Sequence, residues 1–329
     1  MPQIELFNLL GRHVPMVGLA TRIANDALAQ AMAGHVHPTV IDVGIGTGRQ
    51  LASLMTGLAA AWLLPRQLTV VGIEPAADAL DQARASLQAT AAALGVELHF
   101  HGFACAAEAL TDADWQAIGA ACSARPAINA AFALHHIADD AQGRDQRQAV
   151  LRRLQQLDPQ CLVLTEPDVD HLEPRFLQRF RNCFAHFGAV FAALDALTMD
   201  QADRDALKVG FFGREIADIL GSAEHQRSER HESALAWMQR LADSGFTVQA
   251  PGNALPASDH RAVSVSLSGA RVVIEAGGEA VVSVLLAVPR PGATAESAGH
   301  APRNAHPFAN PVAHPVAHPF ARPCARPCA

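Results

Sequence analysis

The feature that most constrains this 329-residue chain is the run VIDVGIGTGRQ at residues 40–50, an apolar stretch ending at Asp42 and followed by Gly44, Gly46 and Gly48. A strand that runs into such a loop and then into a helix brings backbone N–H groups against a nucleotide, because residues without a Cβ let it approach. The loop points to a nucleoside cofactor. Spacing separates the kinds: a dinucleotide fingerprint reads G-x-G-x-x-G, and its third glycine would fall where Arg49 stands, whereas this loop reads G-x-G-x-G. Alone, such a run fits a tight strand-to-helix turn as well as a site, so the rest of the chain decides.

Half of the residues are hydrophobic, enough for a sizeable core in one large domain or two small ones. The formal charge of −7 argues against a direct nucleic-acid partner, since a phosphate-tracking surface needs excess Arg and Lys on one face. Glu5 stands where a leader would carry basic residues, and apolar stretches such as residues 58–64 are too short to cross a bilayer. A cytoplasmic protein without a membrane partner is expected. The six cysteines, Cys105, Cys122, Cys161, Cys183, Cys324 and Cys328, are scattered as reduced thiols would be.

Apolar periodicity predicts one or two helices over residues 4–33, then strands near 40–43, 68–73, 96–103, 128–134 and 161–165 with helices between them. Strands that read as apolar runs and alternate with helices define a doubly wound, Rossmann-type α/β sheet. Past Glu166, Phe176, Phe180, Phe184, Phe187 and Phe191 recur every three or four residues, which predicts a helix with one aromatic stripe, packed into the core or walling a substrate pocket over the strand ends. Helices are expected over 203–220 and 231–244, then an antiparallel hairpin, 271–276 with 280–288, turning at Gly277 and Gly278. From His306 the chain repeats every four residues, as in HPFA and RPCA. Such proline spacing predicts an extended or disordered tail without chemistry.

With an acid ahead of its glycines, the loop resembles motif I of class I methyltransferases that use S-adenosyl-L-methionine (SAM), which also close their sheet with a hairpin. Glu74 ends the second strand, where such sites place an acid that takes both ribose hydroxyls, although it also reads as a solvated turn residue. Ala104 and Cys105 follow the third strand, where methyltransferases contact adenine. The fourth strand runs into FALHHI, placing His135 and His136 at the sheet's carboxyl edge. Either imidazole fits acceptor positioning or proton abstraction, or a satisfied core histidine. Glu166 ends the fifth strand and fits either acceptor positioning or a cap. No H-E-x-x-H, G-x-S-x-G or P-loop lysine motif occurs, and no metal site is assigned.

The segments LATRIANDALAQAMAG, VIDVGIGTG, FALHHI and TEPDVDHLEPRFLQRF occur in that order, followed by the block at residues 212–246 with Arg227, Arg230, Glu232, Trp237, Gly245 and Phe246. Together they resemble a bacterial member of the GRAS family over residues 19–288. The resemblance implies a methyltransferase-like Rossmann core with a helical cap. It divides the chain into cap helices (1–36), core (37–170), cap insertion (171–225), last helix and hairpin (226–288) and tail (289–329). Plant members are transcriptional regulators; bacterial members are expected to keep the cofactor site and act on small molecules. Unlike the plant pattern, this chain has the complete glycine series, and its terminal block is a hairpin without the family's tryptophan. The resemblance implies SAM held by Asp42, Gly44, Gly46, Gly48, Gln50, Glu74, Ala104 and Cys105, with His135 and Glu166 positioning an acceptor. Asn25, His136, Phe180, Arg230 and Glu232 are candidate pocket residues, and Arg230 and Glu232 read equally as a salt-bridge network. The expected function is small-molecule methyl transfer by SAM; the alternative is a non-catalytic regulator using the same crevice for a small ligand or a protein partner.

Overall fold

Five parallel strands, β1 (Thr39–Val43), β2 (Gln67–Ile73), β3 (Glu97–Phe103), β4 (Ala127–Ala131) and β5 (Cys161–Pro167), lie in the order β3-β2-β1-β4-β5. They belong to a computed structural model that describes residues 3–291. The tail repeat from His306, Cys324 and Cys328 lie outside the described residues. Every residue of β1 is buried and all but the ends of β2, β4 and β5 are too, as strands covered on both faces must be, while the edge strand β3 alternates. In register, Val40 lies beside Val70 on one side and Ala127 on the other.

The described residues form ten α-helices: α1 (Gln3–His13), α2 (Pro15–Met32), α3 (Arg49–Ala60), α4 (Ala77–Leu94), α5 (Asp112–Ala121), α6 (Gln146–Gln156), α7 (Phe176–Asp195), α8 (Gln201–Asp205), α9 (Gly213–Gly221) and α10 (Ala234–Asp243). One core joins α2, α3, α4 and α7 to one face of the sheet, and a second joins α5, α6 and α10 to the other. Each Leu, Ile or Val buried in them contributes roughly 1.5–3 kcal/mol. Helix α2 begins with Pro15 and buries Met16, Leu19, Ala20, Ile23, Ala24, Ala27 and Leu28 at helical spacing. It packs across β4, β5 and the strands at Arg271–Ala276 and Glu279–Pro289, so it is a layer of the sheet's own core. Ser233 caps α10 by accepting from the Ala236 N–H at 3.3 Å, and Trp237 and Leu241 turn inward.

The predicted hairpin is present as β8 (Arg271–Ala276) and β9 (Glu279–Pro289), with two further strands that sequence reading missed, β6 (Phe246–Gln249) and β7 (Val263–Ser268). Strand β9 runs antiparallel to β5, Leu285 opposite Leu164, and its other neighbours are β8 and β6. β6 is only four residues long and follows Gly245 directly, which hid it. The alternation VSVSLS was the available sign of β7.

The aromatic stripe of α7 splits in two. Phe187 is buried against Phe212, but Phe176, Phe180 and Phe184 are 56, 43 and 74% exposed, so core packing does not describe them. The segment Ala206–Phe212 between α8 and α9 is π-helical, and its Gly210 lies beside Leu6 of α1. Among the described residues, no helix is long and apolar enough to cross a membrane.

The two kinds of phenylalanine give a measurable contrast. Phe246→Ala, at a fully buried ring, is expected to cost about 3–5 kcal/mol in urea unfolding. Phe184→Ala, on the exposed ladder, is expected to stay within about 0.5 kcal/mol of the parent.

Candidate functional site

Because β1 leads outward to β2 and β4 leads the other way to β5, the strand order reverses between β1 and β4. In sheets of this order a ligand crevice lies at that reversal, at the carboxyl ends. The glycine loop leaves β1 at this point and is tied to β2, where the Ile73 carbonyl accepts from the Gly44 and Ile45 N–H groups at 2.8 and 3.2 Å. A Cβ on Gly44, whose φ is +75°, would lie 2.6 Å from the Ala133 Cβ after β4. A Cβ on Gly46, by contrast, would meet nothing within 4 Å. The Gly46 N–H donates at 3.0 Å to Glu74 Oε2, and the other carboxylate oxygen accepts from the Ala76 N–H at 3.0 Å. Glu74 therefore bridges the glycine loop and the start of α4.

Behind the loop runs a chain of polar side chains. Asp42 is buried, and its Oδ1 accepts from Asn129 Nδ2 at 2.7 Å. Asn129 Oδ1 accepts from Gln50 Nε2 at 3.0 Å, and the Gln50 carbonyl accepts from Asn25 Nδ2 at 3.3 Å. The series ends at Asn25 Oδ1, which is buried with no donor. Asn129 escaped sequence reading. Its signal was a lone amide in the apolar strand AINAA, directly opposite Asp42 in the parallel register. Burial, with the Glu74 charge adding to it and Asn129 opposing it, pushes the Asp42 carboxyl up to about 7.

Across the crevice, Glu166 at the end of β5 accepts from the Ala133 and Leu134 N–H groups at 3.3 and 2.8 Å through Oε1. Its Oε2 accepts from His135 Nδ1. Glu166 thus caps the turn Leu134–His136, using both oxygens. Phe132, just before this turn, has φ +53°, a strained conformation for a bulky side chain. Glu229, unnoticed in the sequence, brings Oε2 within 3.4 Å of His135 Nε2, 3.7 Å of His136 Nδ1 and 3.2 Å of His231 Nε2. His231 in turn shares an Nδ1–Nδ1 hydrogen bond of 2.9 Å with His171. Burial works against charge on His135, but Glu166 and Glu229 outweigh it and raise the imidazole to about 10. The His135 charge and burial lower half-exposed His136 to about 4. Burial also lowers His171, His231 and His186, the last to about 3. Against burial, the imidazoles keep Glu229 below the usual carboxylate range, whereas burial and Glu229 push Glu215 well above it.

The remaining predicted positions have other neighbours in this structure. Glu232 Oε1 pairs with Arg147 Nη1 of α6 at 2.6 Å and both its oxygens take Arg240 of α10 at 2.7 Å. This is an interhelical salt-bridge network. Arg230 donates to the Arg227 and Glu224 carbonyls and, through its own N–H, to the His135 carbonyl at 3.2 Å. Phe180 belongs to the exposed ladder of α7, its ring 6.3 Å from Phe184. Ala104 is exposed beside half-buried Cys105, whose thiol burial raises. Gly48 starts α3 against Ala83.

The fold and crevice together define a mixed α/β protein with the architecture of nucleotide-crevice sheets, extended by antiparallel strands and a helical layer. The model of the GRAS domain family matches residues 2–266, and the chain belongs to that family. It is 30% identical over 246 residues to the DELLA protein GAI of Gossypium hirsutum, covering 71% of this chain and 44% of that protein. The chain thus spans less than half the length of this curated relative. The crystal structure of SCL7 from Oryza sativa superposes with a TM-score of 0.76 at 23% identity, over 86% of this chain and 83% of that one. The plantazolicin methyltransferase BamL, in complex with a triazolic desmethylPZN analog and SAH, reaches a TM-score of only 0.45 at 12% identity, over 87% of this chain and 90% of that one, too distant to bear on a cofactor. The relatives are plant proteins, so the matches establish the family and not its bacterial branch.

Two substitutions test the electrostatics. Glu232→Gln leaves the buried Arg147 guanidinium short of its counter-charge and is expected to cost about 3–5 kcal/mol in chemical unfolding. Asp42 titrates near 3.8 when unfolded and near 7 in the fold. Its penalty is absent at low pH, grows as pH rises between those values and then levels off. Asp42→Asn is therefore expected to unfold like the parent near pH 4 but at higher urea above pH 7, by up to a few kcal/mol at about 1.4 kcal/mol per pH unit.

Proposed function

We propose that this chain is a GRAS-type regulatory module that binds a small nucleoside ligand of the SAM class in the crevice at the carboxyl ends of β1, β2 and β4. The observation that carries the reading is the buried relay from Asp42 through Asn129 and Gln50 to Asn25, which ends in an acceptor with no donor beside the glycine loop. An orphaned buried acceptor costs about 1–3 kcal/mol, and a ligand N–H, such as an ammonium, offsets that cost on binding. Gly46, open on its Cβ side, and Glu74 stand on the same rim and fit the nucleoside end of such a ligand. The complete glycine series aligns the chain with the bacterial type of the family, binding a small molecule in the cytoplasm without direct nucleic-acid contact.

Binding without turnover is supported by Glu166. Both of its oxygens are committed to the turn after β4, which leaves the residue read as an acceptor-positioning carboxylate with a capping role. A second reading, methyl transfer, is favoured by the intact loop. SAM, when bound, supplies an electrophilic methyl group, and the chain's part is then to orient an acceptor and exclude water.

Calorimetry with SAM and with S-adenosylhomocysteine tests the proposal. Saturable heat is expected with both, with no conversion of SAM on prolonged incubation. Asn25→Ala is expected to weaken binding about tenfold, the equivalent of one hydrogen bond, with little change in melting. Absence of heat and of thermal shift at millimolar ligand abandons the reading, and steady production of S-adenosylhomocysteine replaces it with the enzymatic one.

A further inference from the structure

Two imidazoles and a carboxylate converge beside the crevice without serving the ligand reading above. His135 and His136 are consecutive residues of the turn Leu134–His136, and their rings lie 4.0 Å apart between centroids. Each aims a ring nitrogen at Glu229 Oε2, at 3.4 Å from Nε2 of His135 and 3.7 Å from Nδ1 of His136, and all three atoms lie within 4.8 Å of one another. Metal bonds of about 2.0–2.1 Å at tetrahedral angles hold ligand atoms roughly 3.3 Å apart. The triad is therefore close to the spacing that one shared ion imposes.

Three further observations point the same way. Glu229 Oε2 is buried, with imidazole nitrogens around it, yet no N–H is aligned to donate to it. That oxygen is the shared point on which the imidazole nitrogens of His135, His136 and His231 converge. The other ring nitrogen of His135 is held by Glu166, which is the outer carboxylate that fixes the tautomer and orientation of metal-bound histidines. His136 remains half exposed, so an ion has a way in and exchangeable positions stay open on that side.

We propose that His135 Nε2, His136 Nδ1 and Glu229 Oε2 form a binding site for a divalent first-row transition ion, Zn²⁺ or Fe²⁺. The two-histidine, one-carboxylate donor set suits such ions and leaves coordination positions for water or a small ligand. The ion takes the place of the proton on His135 Nε2, while Nδ1–H continues to donate to Glu166. Glu166 is a positioning residue in this site, and His231 Nε2 is a further nitrogen 3.2 Å from Glu229 Oε2.

The test is a Co²⁺ titration of the full-length, metal-stripped chain followed by visible absorption, with Zn²⁺ as competitor and no nucleoside present. Its outcome is thereby separate from that of the ligand proposal. One Co²⁺ per chain is expected, with the d–d bands of a low-coordinate site that Zn²⁺ abolishes. Glu229→Gln, nearly isosteric, and His136→Ala, at a half-exposed ring, are expected to lose those bands while keeping the parent's circular dichroism. Glu166→Gln is expected to weaken Co²⁺ by about 10–100-fold with the bands retained. No d–d bands in the parent overturns the proposal. So does a spectrum and stoichiometry that survive in both ligand variants, which would assign the ion to histidines elsewhere in the chain.

Discussion

The contents of the crevice depend on one steric constraint, the meeting of the loop after β1 with the turn after β4 at Gly44 and Ala133. A methyl group on either side of that contact is already the limit, because a second would overlap the first. That closeness lets Asp42 and Asn129 face each other in register and lets Gln50, on the first turn of α3, reach the same amide. It also sets the turn carrying His135 and His136 where Glu166 at the end of β5 can cap it. A wider gap would leave buried carboxylates without their partners, a cost of several kcal/mol for each charge.

Charge is distributed unevenly around this junction. Glu166, Glu229 and Glu232 each lie against cationic or imidazole nitrogens, so their burial is compensated within the protein. Asp42 has only an amide and a neighbouring carboxylate, and it keeps its proton to a higher pH as a result. The wall of the crevice nearest the glycine loop therefore holds, among the described residues, two carboxyl groups, Asp42 and Glu74, without a cation between them, whereas the wall formed by the turn after β4 is crowded with imidazoles and carboxylates.

The parallel half of the sheet was legible because its signals are local: apolar runs, a glycine loop, and acids at the ends of β1, β2 and β5. Glu74 and Glu166 were recognised for that reason, and their partners are the backbone N–H groups that such positions face. What escaped was non-local. Asn129 matters only because register sets it against Asp42, and Glu229 only because the chain returns to the carboxyl edge after α9. Glu232 could not be assigned to a pocket or a salt bridge until α6 and α10 were seen to share it. On α7, the three- to four-residue spacing of five phenylalanines could not tell which would be covered, since the period gives a stripe and not its neighbour.

The π-helical segment between α8 and α9 carries a consequence for how chains of this kind can change length. A wide turn holds one residue more than an α-turn, and each residue rotates a helix by about 100°. Ile219, buried completely in α9, reaches its place only after that extra residue. A relative lacking a single residue between positions 206 and 212 would still read as an uninterrupted helix, yet it would present a different side of α9 to α7. Alignments that slide a gap freely through this segment would then pair inward with outward positions, so the π-turn is a natural place to anchor them.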